Sequence, residues 1–280
     1  MMKKQVCKSF MVLVGVLLSL GWGLVQAEGL VLTSPPRESP AAGEKLYGPL
    51  AKALTGLLGV TVTYKHPGNW LTYQREMRND AYDIVFDGPQ FIAWRQAHLK
   101  NEAVVKLQGS LEFFLVSHVD DKSVNTLDDL IGKRICGIPP PNLATLTVLD
   151  KFRNPVRQPL IKGVKGGMLG VAKAFKAGLC QAAVFRDTFY KKKLTDADRA
   201  TMKVLYQSKP IPNQGISVSQ RISSADRNKI RDFIMTPAGI KVTAAIVKRF
   251  GGKLVKSFVP TSRTEYEGYN NLLEGVIFGW

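Results

Sequence analysis

Side chains with the potential for chemistry are few in this chain of 280 residues. His66, His98 and His118 are its three histidines, and none has metal-ligand spacing to another histidine or to a cysteine. The sequence contains no Gly-x-Ser-x-Gly nucleophile elbow and no Gly-Lys-Ser/Thr phosphate loop. We therefore expect no enzyme, no metal and no cofactor, and the remaining polar residues are better suited to binding.

Polar and aromatic side chains gather where predicted strands run into helices. In open parallel sheets, ligands bind beyond the carboxyl ends of the strands, where helix N-termini offer N–H groups to anions. Five such junctions are readable, at 34–38, 70–73, 87–90, 139–145 and 185–187. The candidate ligand-binding residues that they supply are Ser34, Glu38, Trp70, Tyr73, Asp87, Gln90, Asn142, Thr145 and Arg186.

Each candidate type suggests a role toward a ligand. Asp87 and Gln90 would exchange hydrogen bonds with it, and Arg186 would neutralise an acidic group. Trp70 and Tyr73 would stack on an apolar part. Structural roles stay open for the same residues: Trp70 packing on its own sheet, Asp87 capping the next helix, and Arg186 pairing with the neighbouring aspartate.

The hydrophobic pattern predicts an α/β protein built from two sheets. Strand-like and helical stretches alternate with short links over 30–97, and the alternation restarts at 127. We expect two lobes, each a mostly parallel sheet flanked by helices, joined by two hinge crossings. The expected boundaries are 28–117 plus 211–280 for lobe 1 and 118–210 for lobe 2.

The beginning of the chain is typical of a secretory signal peptide. Lys3, Lys4 and Lys8 precede an apolar run, and Val-Gln-Ala at 25–27 fits cleavage after Ala27. An uncleaved membrane anchor is the alternative, although the run is shorter than the ~20 apolar residues that span a bilayer. We expect residues 1–27 to be removed, leaving a periplasmic protein without a stable membrane span.

Charge and cysteine content are consistent with export. The net charge of +17 favours anionic ligands, acidic partners or an anionic membrane surface. Export and the lack of a recognition motif argue against nucleic acid. The densest basic run, Lys191-Lys192-Lys193, is either a solvated face or a docking face.

Cys136 and Cys180 either form one disulfide or stay two buried thiols.

Four short motifs follow one another in a familiar order. They are YGPL at 47–50, YDIVFDGP at 82–89, LDDLIGK at 127–133 and AGLCQAAV at 177–184. Together they resemble the phosphonate/phosphate/phosphite-binding (PhnD-like) proteins of ABC importers. The resemblance implies a type 2 periplasmic binding fold, a monomer that captures a small ligand between its lobes, and delivery to an inner-membrane ABC permease. It also implies hinges near 117–118 and 210–214.

The chain departs from that family at the loop that would hold an anion. The family's loop is rich in Ser and Thr, whereas 139–145 reads PPPNLAT, with Asn142 and Thr145 as its polar side chains. Proline has no N–H to donate, and Gln181 replaces the Asp of the fourth motif. The resemblance implies a phosphonate- or phosphate-like oxyanion. The alternatives are a more apolar, sterol-like lipid in envelope lipid traffic, and an exported sensor or adaptor.

Overall fold

The computed structural model describes residues 29–152, 154–251 and 255–274. These residues form two main sheets with helices on their faces, and a short two-stranded ribbon. The expected signal peptide, 1–27, lies outside the described residues. Among the helices within them, none combines the length and the apolar character that crossing a membrane requires.

Strands and helices alternate along most of the chain. The strands are β1 (Leu30–Thr33), β2 (Val62–Tyr64), β3 (Ile84–Asp87), β4 (Glu102–Leu107), β5 (Ser110–Leu111), β6 (Phe113–His118), β7 (Arg134–Gly137), β8 (Leu160–Gly163), β9 (Ala182–Arg186), β10 (Met202–Gln207), β11 (Ile211–Pro212), β12 (Gly215–Val218) and β13 (Phe258–Pro260). The helices are α1 (Pro40–Leu58), α2 (Trp70–Arg78), α3 (Pro89–His98), α4 (Leu143–Leu149), α5 (Gly167–Lys176), α6 (Asp187–Lys192), α7 (Asp196–Ala200), α8 (Ser224–Met235), α9 (Pro237–Phe250), α10 (Arg263–Tyr266) and α11 (Asn271–Glu274).

The two sheets share one plan. The first has the order β13-β4-β12-β3-β1-β2, and the second has the order β10-β6-β9-β7-β8. β1 to β4 point the same way in the first sheet, and β7 to β10 do so in the second. Each sheet is thus mostly parallel in direction, as expected. β12 and β6, which enter directly from the other sheet, run antiparallel to their neighbours because no helix turns the chain back before them.

Two crossings connect the sheets at a small ribbon. β5 pairs with β11, and the N–H of Leu107 donates to the carbonyl of Gln214 at 2.8 Å. β6, which we expected to end lobe 1 before residue 118, lies in the second sheet between β10 and β9. The first crossing therefore falls at 108–112, upstream of the expected one. The apolar run of β6 is equally suited to either core, so periodicity does not say which sheet it joins.

Local chemistry explains the first long helix. Ser39 caps α1 by accepting from the N–H of Ala42, and Pro40 occupies its first turn. Gly59 ends it in the left-handed region, at φ 71°, which glycine adopts without strain. Tyr47 and Leu50 from the first motif are fully buried, so this part of the resemblance reflects packing of the core.

A disulfide ties together two strands of the second sheet. Cys136 of β7 is bonded to Cys180, just before β9, with a Cα–Cα distance of 5.6 Å, and both residues are buried. β7 and β9 are hydrogen-bonded neighbours. The bridge therefore fixes the two strands whose carboxyl ends carry the 138–144 loop and Arg186.

Candidate functional site

A cavity of about 730 Å³ lies between the two sheets. The first sheet's side contributes the start of α2, the start of α3 and the end of α9. The second side contributes the 138–144 loop, the start of α5 and the end of β9. The carboxyl ends of β3, β7 and β9 all lead to this cavity, which is where open α/β sheets bind ligands.

Four of the predicted ligand-binding residues line the cavity: Trp70, Gln90, Asn142 and Arg186. Trp70 is half-buried; its ring stacks on Phe91 at 6.1 Å and meets Tyr73 edge-on at 6.0 Å. These aromatic contacts hold the indole in place while part of it stays available to a ligand.

Asn142 both caps a helix and lines the cavity. Its Oδ1 accepts from the N–H of Ala144 at 3.1 Å and so caps α4, and the residue also lines the cavity. The three prolines before it, 139–141, are part of the same wall. This stretch therefore offers one amide side chain among apolar rings, rather than the hydroxyl groups of a Ser- and Thr-rich loop.

The other five predicted residues lie behind the wall rather than on it: Ser34, Glu38, Tyr73, Asp87 and Thr145. The hydroxyl of Ser34 lies 3.4 Å from that of Tyr64, and Thr145 Oγ1 donates to the carbonyl of Ile138 at 2.6 Å. Short polar side chains at these junctions satisfy nearby backbone or hydroxyl groups. The hydroxyl groups of Ser34 and Thr145 could have bound a ligand, but in the structure these local partners occupy them.

Asp87 and Tyr73 belong to a buried ionic network. Asp87 Oδ2 accepts hydrogen bonds from Tyr73 Oη and from Nη1 of Arg95, and Arg95 Nη2 donates to Tyr73 Oη at 2.8 Å. All three side chains are fully buried, and burial raises the pKa of Tyr73 well above its ordinary value. The network makes Asp87 a support of the wall and not a part of its surface.

Two further arginines, which the sequence pattern did not indicate, lie on the cavity wall: Arg37 and Arg249. Their guanidinium carbons lie 5.5 and 5.0 Å from the ring of Phe250. Arg249 also faces the buried carboxylate of Glu38 at 3.4 Å. Arg37 sits inside a junction that the sequence did single out, whereas Arg249 reaches the cavity only through the fold, from the end of α9.

Arg186 comes to the cavity from the opposite side. Its Nη1 lies 3.4 Å from the carbonyl of Phe250, across the cleft, and its Nε is buried without a hydrogen-bond partner. Burial lowers the pKa of Arg186, and the nearby Asp187 partly opposes that effect. An arginine stays charged under these conditions, so a cation with spare donors faces the cavity.

Two helix N-termini open onto the same space. α3 begins after Gly88 and α5 after Gly166, and neither helix has a side-chain cap. Gly88 and Gly167 both line the cavity. The first-turn N–H groups of a helix carry partial positive charge and bind anions. α5 offers more of them than α3, because α3 begins with Pro89, which has no N–H. Together with the arginines, they give the cavity an electropositive wall.

Comparison of the sequence with known families gives a match over residues 32–266, to the periplasmic substrate-binding proteins of phosphonate ABC transporters. The chain belongs to this family. A search of curated proteins returns no match. Membership places the protein among periplasmic solute-binding components of ABC transporters, which are not an enzyme class.

Solved structures support the same fold. XAC2383 from Xanthomonas citri, bound to ATP, has a TM-score of 0.67 at 14% identity, over 88% of this chain and 96% of that one. PhnD1 from Prochlorococcus marinus, in complex with methylphosphonate, has a TM-score of 0.58 at 12% identity, over 88% and 97%. A phosphonate-transporter component from Pseudomonas aeruginosa, PA3383, has 0.56 at 16%, over 87% and 85%.

These likenesses establish the type 2 periplasmic binding fold for this member of the phosphonate-binding family. In the part of the chain that the structure describes, no group of three or more His, Cys, Asp or Glu side chains is arranged to hold a metal ion. The arginines and helix N-termini around the cavity are suited to holding an anion between two walls.

Proposed function

We propose that this family member captures a small oxyanion of the phosphonate or phosphate class in its cleft and delivers it to an inner-membrane ABC permease. The observation that carries the proposal is the pair of arginines on opposing walls. Nη1 of Arg37 and Nε of Arg186 are both buried without a hydrogen-bond partner. A buried donor without a partner is costly, and an oxyanion between the two groups would supply the acceptors.

The charge balance of the wall favours an anion over a neutral lipid. Arg249 has a carboxylate neighbour in Glu38, but the single carboxylate of Asp87 faces both Arg37 and Arg95. Cations therefore exceed the carboxylates in this network. A neutral sterol-like ligand would leave these guanidinium groups desolvated without compensation. This is the physical reason to prefer the oxyanion to the lipid alternative.

The remaining wall is apolar and indicates an organic substituent on the anion. Trp70, Phe91, Leu111, Phe113 and Met168 all line the cavity. Inorganic phosphate would leave most of this surface against water, whereas an organophosphonate or a phosphate ester would bury it. Because two of the similar structures hold ATP and methylphosphonate, these two compounds and inorganic phosphate are suitable first probes.

The lobes are proposed to close over the ligand as hinged bodies, with the crossings at 108–112 and 208–214 as hinges. Sheet membership supports lobe 1 as the strands before the first crossing and after the second, and lobe 2 as β6 to β10. We also propose that the protein acts as a monomer in the periplasm after cleavage at Ala27. Two-crossing connections of this kind permit domain closure.

Calorimetric titration of the protein with methylphosphonate, inorganic phosphate and ATP tests the proposal. We expect at least one of them to bind, and Arg37→Gln and Arg186→Gln each to weaken that binding about tenfold or more, because each removes a charge-assisted contact. Arg157→Gln is the matched control, since Arg157 is exposed on the second lobe and away from the cavity.

Two results would reject the proposal. One is tight binding of a sterol-like lipid with no response to any of the oxyanions. The other is oxyanion binding that is unchanged in Arg37→Gln and Arg186→Gln, which would place the ligand elsewhere. A protein that binds the oxyanion but never stimulates ATP hydrolysis by a permease would support the sensor or adaptor alternative instead.

A further inference from the structure

One carboxylate beneath the cleft, that of Asp87, lies between two arginines. Arg95 contacts Oδ2 on the side away from the cleft. Nη2 of Arg37 lies 3.9 Å from Oδ1 on the cleft side. Arg95 is 1% exposed and does not line the cavity, whereas Arg37 does. Asp87 therefore connects a cation that no ligand can reach to a cation on the ligand's wall.

The two contacts differ in strength. Oδ2 accepts direct hydrogen bonds from Arg95 and Tyr73, and Oδ1 accepts the N–H of Gly88 at 2.9 Å. The contact to Arg37, at 3.9 Å, is too long for a hydrogen bond. Charge-assisted hydrogen bonds are about twice as strong as neutral ones, so Asp87 is engaged mainly by Arg95.

Arg37 keeps its binding capacity as a result. Its Nη1 is buried without a hydrogen-bond partner, and its guanidinium lies over Phe250. The distant carboxylate attracts Arg37 enough to orient it but does not occupy its donors. If the charge of Arg95 were absent, Arg37 would become the nearest cation to Asp87, and a buried carboxylate draws in whatever cation it can reach.

We propose that Arg95 is a positioning residue for ligand binding that acts through Asp87. Because Arg95 forms the direct ion pair with Asp87, Arg37 stays at the cleft wall and is free to bind an oxyanion. The effect on affinity passes from Arg95 to Asp87 to Arg37, and Arg95 itself never touches the ligand. This inference rests on the proposed function, because it assumes an anion in the cleft.

A double-mutant cycle tests the inference by calorimetric titration with the tightest-binding of methylphosphonate, inorganic phosphate and ATP. Arg95→Met removes the charge, and we expect it to weaken binding about tenfold or more as Asp87 captures Arg37. Arg95→Met combined with Asp87→Asn removes both buried charges, and we expect it to recover affinity to within about threefold of the unmodified protein. Arg231→Gln is the control, because Arg231 lies half-buried on α8 and does not line the cavity.

Recovery in the double variant separates positioning from packing. If Arg95 only filled space, the double variant would bind as weakly as Arg95→Met or more weakly, and that result would overturn the inference. Equal affinities for Arg95→Met and the unmodified protein would overturn it as well. If Arg95→Met does not fold, Arg95→Lys serves, because it keeps the charge; retained affinity there supports the inference, and a loss equal to that of Arg37→Gln contradicts it.

The failure of the inference is distinguishable from failure of the proposed function. Binding that depends on Arg37 and not on Arg95 leaves the oxyanion proposal intact and rejects only the role of Arg95. Binding that depends on neither residue, or no oxyanion binding at all, rejects both.

Discussion

Gln90 and Pro141 join the two walls of the cleft. Nε2 of Gln90, at the start of α3, donates a hydrogen bond to the carbonyl of Pro141 at 3.1 Å. Gln90 follows a strand of the first sheet, and Pro141 follows a strand of the second. The bond exists only while the walls are close, so it stabilises the closed arrangement of the lobes.

Removing this bond is predicted to favour the open form. For Gln90→Ala we expect a larger radius of gyration without ligand and a dissociation constant about fivefold higher, because a net hydrogen bond contributes about 1 kcal/mol. Solution scattering and calorimetry measure the two effects. Gln158→Ala is the control: its Nε2 donates to the carbonyl of Phe152 at 2.9 Å, within one lobe. An unchanged radius and affinity in Gln90→Ala would show that the contact does not hold the lobes together.

The indole of Trp70 is predicted to be an anchor for the apolar part of the ligand. Trp70→Ala should weaken binding by about 1–3 kcal/mol, as expected for a partly buried aromatic contact. Its neighbour Leu71, which is 77% exposed and outside the cavity, supplies the control Leu71→Ala. The same affinity in both variants would remove Trp70 from the ligand site.

The disulfide is predicted to stabilise the second lobe substantially. Cys136 and Cys180 are 44 residues apart in sequence, and closing a loop of that size in the unfolded chain is worth about 4 kcal/mol on the chain-entropy account. The double variant Cys136→Ser/Cys180→Ser should lose free energy of unfolding of that order in urea denaturation. Two reactive thiols in the mature, denatured and unreduced protein would contradict the bridge.

Glu76 is predicted to contribute to acid sensitivity. Burial alone would raise its pKa, but hydrogen bonds from Tyr82 at 2.7 Å and Lys65 at 3.2 Å outweigh burial and lower the pKa from its usual 4.5. The folded protein then binds this proton less readily than the unfolded chain, so the stabilisation is present above pH 4.5 and is lost as the pH falls through the folded pKa.

As the pH falls from about 6 to about 3, the free energy of unfolding should therefore decrease less in Glu76→Gln than in the unmodified protein. Urea denaturation at several pH values measures this slope. The exposed Glu267→Gln serves as control and should keep the original slope. Parallel slopes for Glu76→Gln and the unmodified protein would show that Glu76 is not a source of the pH dependence.

Much of the fold was predictable from the sequence, because local signals mark it. Gly59 ends α1 and Pro89 begins α3. Glycine is favoured just after a helix and proline in its first turn. The sheet that receives β6 was not predictable, since residues 113–116 are apolar on both faces of the strand and periodicity carries no information on which strands pair. The sheet that a strand joins depends on contacts between residues that are far apart in the sequence.

The candidate site was predictable only in part. Trp70, Gln90 and Arg186 reach the cavity, because each follows a strand end that the alternation located. Arg249 was missed because it comes from the far end of α9 and meets the cavity through tertiary structure. Asp87 was predicted to bind the ligand because it is a carboxylate at a strand end. The charge of Arg95, directly after the apolar run 91–94, was the available sign of a buried partner.

The crystal structure of the protein isolated from its own host, with its native ligand retained, tests the central claim most directly. We predict an anionic group between the lobes, within hydrogen-bond distance of Arg37 Nη1 and Arg186 Nε. A neutral lipid in the cleft, or closed lobes with only solvent between these two arginines, would contradict it.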